Sequence, residues 1–161
     1  MITYLIGDAT SPASEGTRII AHICNDVGGW GRGFVVAISE KWREPMLAYK
    51  SLFQSNRNKP LLGMTDFISV ENKNTKITYV ANMIAQHGIA GSSPPGRLVD
   101  LEALETCLNK VKAFALSRKD PTIHMPRIGC GLGGAKWEEI EPIVERALGE
   151  LKVFVYDFTI K

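Results

Sequence analysis

Strands alternating with helices around two glycine-rich connections predict an α/β fold. The expected architecture is a mixed, mainly parallel central sheet with helices on both faces, three layers in all. Three observations carry this. Arg18–Ile23 is a largely apolar run of strand length, suited to a parallel strand buried on both faces. Segments with helical spacing separate it from later strand-like runs, the order expected of βαβ units. The fifteen glycines gather at 28–33, 88–96 and 129–134. The first and last of these clusters follow strand-like runs, and such sheets bind ligands beyond the carboxyl ends of their strands.

The elements follow in order. Met1–Gly7 reads as a short strand ending at Gly7-Asp8, with a Ser/Pro turn over Thr10–Gly16. Arg18–Ile23 leads into a loop, Cys24–Gly33. Phe34, Ala37, Ile38 and Trp42 then recur at three- and four-residue steps, predicting a helix over Phe34–Trp42. A second helix covers Pro45–Phe53, with proline in its first turn. Gly63–Val70 and Lys76–Met83 are two strands joined by the polar turn Glu71–Thr75, and Ile84–Arg97 is a surface loop. Leu101, Leu104, Leu108, Val111, Phe114 and Ala115 place an apolar stripe on a helix over Val99–Leu116. A strand over Asp120–Ile128, a loop Gly129–Lys136, a helix Trp137–Leu148 and a strand Lys152–Phe158 complete one domain over residues 1–161. There is no internal repeat, linker or low-complexity segment.

Composition bounds the function. A length of 161 residues with 45% hydrophobic and 22% charged residues fits one soluble domain. A formal net charge of +2 excludes a strongly polybasic nucleic-acid protein but leaves room for one anionic small molecule. Cys24, Cys107 and Cys130 are odd in number and share no motif spacing, so they read as reduced thiols of a cytoplasmic protein. No apolar run approaches the roughly 18 residues of a membrane span, and the start of the chain has no basic region of a signal peptide.

The two loops suit an anion. Asn25-Asp26-Val27-Gly28-Gly29-Trp30-Gly31-Arg32-Gly33 and Gly129-Cys130-Gly131-Leu132-Gly133-Gly134 each join a strand to a helix. Glycine lets successive N–H groups approach a ligand, and the following helix N-termini add partial positive charge. Side by side they would serve a pyrophosphate; packing turns are the plainer alternative. Gly129, Gly131 and Gly134 also match the dinucleotide fingerprint, with Asp157 at the end of the next strand. Their place late in the chain argues against that fold. No glycine loop ends in the Gly-Lys-Ser/Thr of a Walker P-loop.

In sequence order, Gly7-Asp8-Ala9-Thr10, Ala21-His22-Ile23-Cys24-Asn25 with Gly28–Gly33, and Pro126-Arg127-Ile128-Gly129-Cys130-Gly131-Leu132-Gly133-Gly134 with Trp137 resemble the motifs of macro domains. The resemblance spans nearly the whole chain. It implies the three-layer α/β/α macro-domain fold and ADP-ribose as ligand. The pattern is most similar to the branch of terminal ADP-ribose glycohydrolases and ADP-ribose 1''-phosphate phosphatases. By this resemblance Asp8 accepts from the adenine amino group, with Gly7 beside it and the Ala9 N–H in support. Asn25 faces the distal ribose. Gly28, Gly29, Trp30, Gly31, Arg32 and Gly33 wrap the distal ribose and phosphates, and Ile128 to Gly134 complete the cradle. Tyr156 or Phe158 packs on the adenine. A turn cap is the alternative for Asp8.

The resemblance also has gaps. The glycohydrolases most similar in pattern use a lysine from the middle loop, but Met83-Ile84-Ala85-Gln86-His87 holds none. Their second-loop aspartate is replaced by Gly133. His22 matches a catalytic candidate of the phosphatase branch, and a buried structural histidine is the alternative. Water at the distal C1'' would be placed by Asn25, Asp26, Gln86 or His87. His22, Cys24 and Cys130 lack metal-ligand spacing, so neither a metal nor a cofactor is expected. Cys130 near two helix N-termini is a mildly activated thiol or a small buried one. Trp30 lines the site or packs the loop, whereas Trp42 and Trp137 belong to the core. Three functions remain: a hydrolase releasing ADP-ribose from acidic side chains of modified proteins, an ADP-ribose 1''-phosphate phosphatase, and a non-catalytic reader. The partner is ADP-ribose or an ADP-ribosylated protein; no membrane is expected, and nucleic acid only as an ADP-ribosylated substrate.

Overall fold

The computed structural model describes residues 1–57, 59–89 and 98–158. Six strands form one sheet in the order β1-β6-β5-β2-β4-β3. They are β1 (Ile2–Ile6), β2 (Gly16–Asn25), β3 (Thr65–Lys73), β4 (Lys76–Gln86), β5 (Pro121–Pro126) and β6 (Lys152–Asp157). All neighbours are parallel except the β3–β4 hairpin, so the sheet is mixed and mainly parallel, as expected. The helices are α1 (Phe34–Lys41), α2 (Glu44–Ser55), α3 (Leu101–Leu116) and α4 (Trp137–Leu148).

Alternation along β2 divides the core between the two faces. Ile19 and Ala21 pack with Leu104, Leu108 and Val111 of α3 and Ile140 and Val144 of α4. Ile20 and Cys24 point the other way, against Val35 and Ile38 of α1 and Tyr49 of α2. A strand buried on both sides thus carries the first loop at its end. The loop's root cannot shift without disturbing both layers.

Several boundaries differ from the sequence reading. β4 runs on to Gln86, where a loop was expected from Ile84. Ile84 and Ala85 are fully buried, Gln86 pairs with Asn25, and Gln86 bridges to Val99. The residues numbered 90–97 of the expected loop lie outside the described ones. The turn read over Glu71–Thr75 shrinks to Asn74-Thr75, with Asn74 at φ 51°. Glu71 is drawn into the sheet because its carboxylate accepts from buried Arg18 at 2.9 Å. α3 begins two residues late because Asp100 caps it, its Oδ1 accepting the Ala103 N–H at 2.9 Å. β5 is shorter at both ends than Asp120–Ile128, and Asp120 sits at φ 48° ahead of it.

Candidate functional site

A cleft of about 460 Å³ opens beyond the carboxyl ends of β2, β4 and β5, walled by the first and second glycine loops. Its size falls within the range of small-molecule sites. The glycines around it do different jobs. Gly28, Gly33 and Gly129 have φ of 87°, 84° and 77°, a region that favours glycine. Gly133 has no space for a side chain, since a Cβ would lie 2.6 Å from Val99 Cγ2 and 2.7 Å from Gly129 O. Gly31 and Gly131 are neither left-handed nor crowded: a Cβ on either would meet nothing within 4 Å. Both line the cleft, so their missing side chains leave the backbone open to a ligand.

The N-terminus of α1 adds to the same wall. Gly33, Phe34 and Val35 line the cleft. This helix has no side-chain cap and no acid in its first turn, whereas the first turns of α2, α3 and α4 hold Glu44, Glu102 and Glu138. An uncapped helix start of this kind favours a negative charge beside it.

Asn25 holds the first loop together. Its Oδ1 accepts from Val27 N and Gly29 N at 3.0 Å each, and its Nδ2 donates to Gly29 O at 2.8 Å. It also lines the cleft. Asp26 bridges the first loop to the end of β4: its Oδ2 lies 2.7 Å from His87 Nδ1 and its Oδ1 accepts Gly88 N at 2.9 Å. His87 Nε2 has no partner among the described residues, and the Asp26 hydrogen bond raises the imidazole's pKa above its ordinary value. Gln86, which lines the cleft, donates to Gly88 O at 3.1 Å.

His22 forms part of the cleft floor but is a buried histidine. Its Nε2 lies 2.6 Å from Asn82 Oδ1, and Asn82 Nδ2 donates to Pro45 O at 2.9 Å. With the amide oriented by Pro45, Asn82 presents an acceptor, so the His22 proton is assigned to Nε2. Burial lowers its pKa to about 4. Its proton is therefore committed to the fold at neutral pH.

Other expectations need correction. Trp30 does not line the cleft. It is 9% exposed, donates to Ser39 Oγ at 2.8 Å and packs edge-on against His22, anchoring its loop from below. For Cys130 the small-thiol alternative fits: burial raises its pKa, and its Sγ donates to Ile128 O at 3.5 Å. Cys24, on the floor, is raised well above the ordinary thiol range by the same cause. Asp157, part of the dinucleotide fingerprint set aside above, is held by Arg127 through contacts of 2.6 and 3.0 Å.

Gly7, Asp8 and Ala9, which the resemblance assigns to adenine, follow β1 and lie apart from the cleft lining. Asp8 does cap its turn, with Oδ1 accepting Thr10 N at 2.8 Å and Thr10 Oγ1 at 2.7 Å. Its second oxygen has no partner among the described residues. Tyr156 is buried, and its hydroxyl meets Ala13 N at 3.0 Å and His124 Nδ1 at 2.7 Å. Phe158 is 69% exposed and is the ring free to stack. We expect Asp8→Ala to weaken ADP-ribose binding by about 1–3 kcal/mol, the cost of losing one partner of a buried polar contact. Unchanged calorimetric affinity in a folded variant would leave Asp8 only its turn.

Sequence reasoning did not single out several lining residues. Ile23, Phe34, Val35, Ile89 and Pro126 contribute apolar surface, and Arg127 flanks the second loop. Arg127 sits over Tyr4 and Trp137, 5.1 and 5.5 Å from their ring centroids. Its place at the head of the second glycine loop was the available signal. Among the described residues no three His, Cys, Asp or Glu side chains cluster to hold a metal. No helix of the described residues is long and apolar enough to cross a membrane.

The profile of the Macro domain family matches residues 21–144. A macrodomain protein structure from Streptomyces coelicolor superposes with a TM-score of 0.82 at 38% identity, covering 98% of this chain and 99% of that one. A protein of unknown function from Bacteroides thetaiotaomicron gives 0.88 at 45% identity, with 98% of both chains covered. The chain belongs to the macro domain family. Among curated relatives it is 29% identical to a zebrafish Chromodomain-helicase-DNA-binding protein 1-like over 95% of its length, but it spans only 15% of that protein. It is 24% identical to an ADP-ribose 1''-phosphate phosphatase of Meyerozyma guilliermondii, across 96% of this chain and 98% of that one.

Proposed function

We propose that this macro domain binds ADP-ribose in the cleft and releases it by hydrolysis from acidic side chains of modified proteins, working in the cytoplasm. The observation that carries the binding is the pair Gly31 and Gly131, glycines that neither backbone conformation nor neighbours require, facing one cleft. An anion with two phosphates fits two such backbones beside an uncapped helix start. Arg32, exposed between Gly31 and Gly33, adds charge at the rim. The whole-length likeness to an ADP-ribose 1''-phosphate phosphatase supports the same ligand.

For catalysis, the substrate would be fixed with its distal ribose beside Asn25 and Gln86. Water attacks C1'', the C1''–O bond breaks, and the side-chain carboxylate leaves as an anion without needing a proton. Gln86 orients the water, and His87, held by Asp26, takes the proton it loses. Positioning supplies much of the rate, which suits a site lacking the lysine and second-loop aspartate of the resembling glycohydrolases. A second reading, removal of the 1''-phosphate, is favoured by the name of the relative matched along its whole length.

The test is incubation with glutamate-, arginine- and DNA-linked ADP-ribose and with the 1''-phosphate, alongside calorimetry with ADP-ribose and AMP. We expect release from glutamate, and micromolar ADP-ribose binding worth about −8 kcal/mol with AMP clearly weaker. Release of phosphate alone selects the second reading. Binding with no release makes the protein a reader, and equal affinity for AMP and ADP-ribose removes the two-loop site.

A further inference from the structure

Helix α2 carries Pro45, Tyr49 and Phe53 at four-residue steps, and so on one face. That face holds the first loop. Tyr49 is 1% exposed, yet its hydroxyl makes three contacts, all with the loop and its root. It lies 2.8 Å from both Asn25 O and Asn25 Oδ1, sharing its one proton between them, and accepts the Gly28 N–H at 3.0 Å. Lys50, next along the helix, donates to Gly28 O at 2.6 Å. One turn beyond Tyr49, the Phe53 ring closes on Gly28 so tightly that a Cβ there would sit 3.0 Å from it. At the helix start, Pro45 O accepts from Asn82, which in turn accepts from His22. The same helix is therefore tied to the cleft floor at one end and to the glycine loop a turn later. Burial pushes the phenol's ionisation upward, so the hydroxyl keeps its proton throughout the working pH range.

We propose that Tyr49 is a positioning residue of the first glycine loop, fixing Asn25 and Gly28 so that the loop's backbone converges on the distal half of the bound ligand. The identity of that ligand rests on the ADP-ribose reading; the pin itself rests on geometry. The Asn25 amide already spans Val27 to Gly29. The tyrosine hydroxyl ties that amide and the Gly28 N–H to helix α2, beside the Lys50 bond to Gly28 O. Without that oxygen the Gly28 N–H loses its partner, and the loop's curvature is no longer set from below.

Tyr49→Phe tests this, because it keeps the ring that packs on Trp30 at 5.5 Å and removes one oxygen. Hydrogen exchange at Gly28 and Gly29 should quicken roughly tenfold while the amides of α2 keep their protection. ADP-ribose should bind roughly tenfold more weakly and AMP as before. Added to Asn25→Ala, the substitution should cause less loss than it does alone, since two of its three contacts run through Asn25. Unchanged exchange at Gly28, equal losses for AMP and ADP-ribose, or full additivity with Asn25→Ala would each overturn the proposal. A wild-type protein that fails to bind ADP-ribose would overturn the ligand reading instead, and exchange at Gly28 would still decide the pin.

Discussion

Gly131→Glu is expected to leave no measurable ADP-ribose binding in a protein that melts at the wild-type temperature. Gly131 is exposed, its φ is not left-handed, and a Cβ there meets nothing within 4 Å. The backbone therefore accepts a side chain without strain. That side chain would project into the cleft and place a carboxylate where the diphosphate is proposed to lie. Two like charges about 4 Å apart repel by about 4 kcal/mol at an effective dielectric near 20. That is close to a thousandfold in affinity before any loss of space is counted. Gly131→Gln separates the two effects, since it fills the same volume without charge and should bind more tightly than the glutamate variant. Gly133→Ala is the contrasting substitution: its Cβ collides with Val99 and with the backbone of Gly129, so it should lower the melting temperature. Calorimetry and a thermal melt on the three variants decide the matter. Wild-type affinity in Gly131→Glu would mean that the second loop does not cradle the ligand.

The contrast between Gly131 and Gly133 also shows how far the sequence could be read. Clusters of glycine after strand-like runs pointed to both loops, because ligand-binding turns and strand ends leave the same local pattern. Which glycine faces the cleft was not legible. That depends on φ and on neighbours such as Val99 and Phe53, which lie far away in sequence. The same limit explains Trp30. A tryptophan among glycines can line a site or pack its loop, and only the arrangement of Ser39, His22 and Tyr49 beneath the loop turns it inward. The end of β4 was missed because Ile84 and Ala85 run into Gln86, His87 and Gly88, a composition shared by strand ends and loops. The Arg127–Asp157 pair joins two strands that become neighbours only in the folded sheet. His22 was left open between catalysis and structure, and its partner Asn82 on the adjacent strand, which supports the structural reading, could not be read from the sequence.

Acid should unfold this protein earlier than its surface charges suggest, because two of its histidines are buried in the neutral form. Burial lowers the His22 pKa to about 4. Burial first, and then the charge of Arg18, lowers that of His124 to about 3. The unfolded chain takes up a proton at each near pH 6.5, while the folded protein refuses it until pH 4 or 3. Stability is therefore complete above about pH 6.5 and falls as the pH drops below it. Each histidine contributes about 1.4 kcal/mol per pH unit, so the pair removes roughly 5 kcal/mol between pH 6.5 and 4.5. That approaches the whole stability of a domain, about 5–15 kcal/mol. His87 has the opposite sign. Its pKa is raised by Asp26, so any stability it adds is present below pH 6.5 and lost as the pH rises through the raised value. It is fully exposed, and screening by solvent leaves that contribution small. Glu105 and Asp157, both lowered by arginine partners, lose their pairing only in stronger acid. Urea titrations at pH 7 and pH 4.5 should show the midpoint falling steeply. His22→Gln should start less stable at pH 7 but lose only about half as much on acidification, because one of the two proton uptakes is gone. Equal unfolding free energies at the two pH values in the wild type would show that the buried histidines do not control its acid stability.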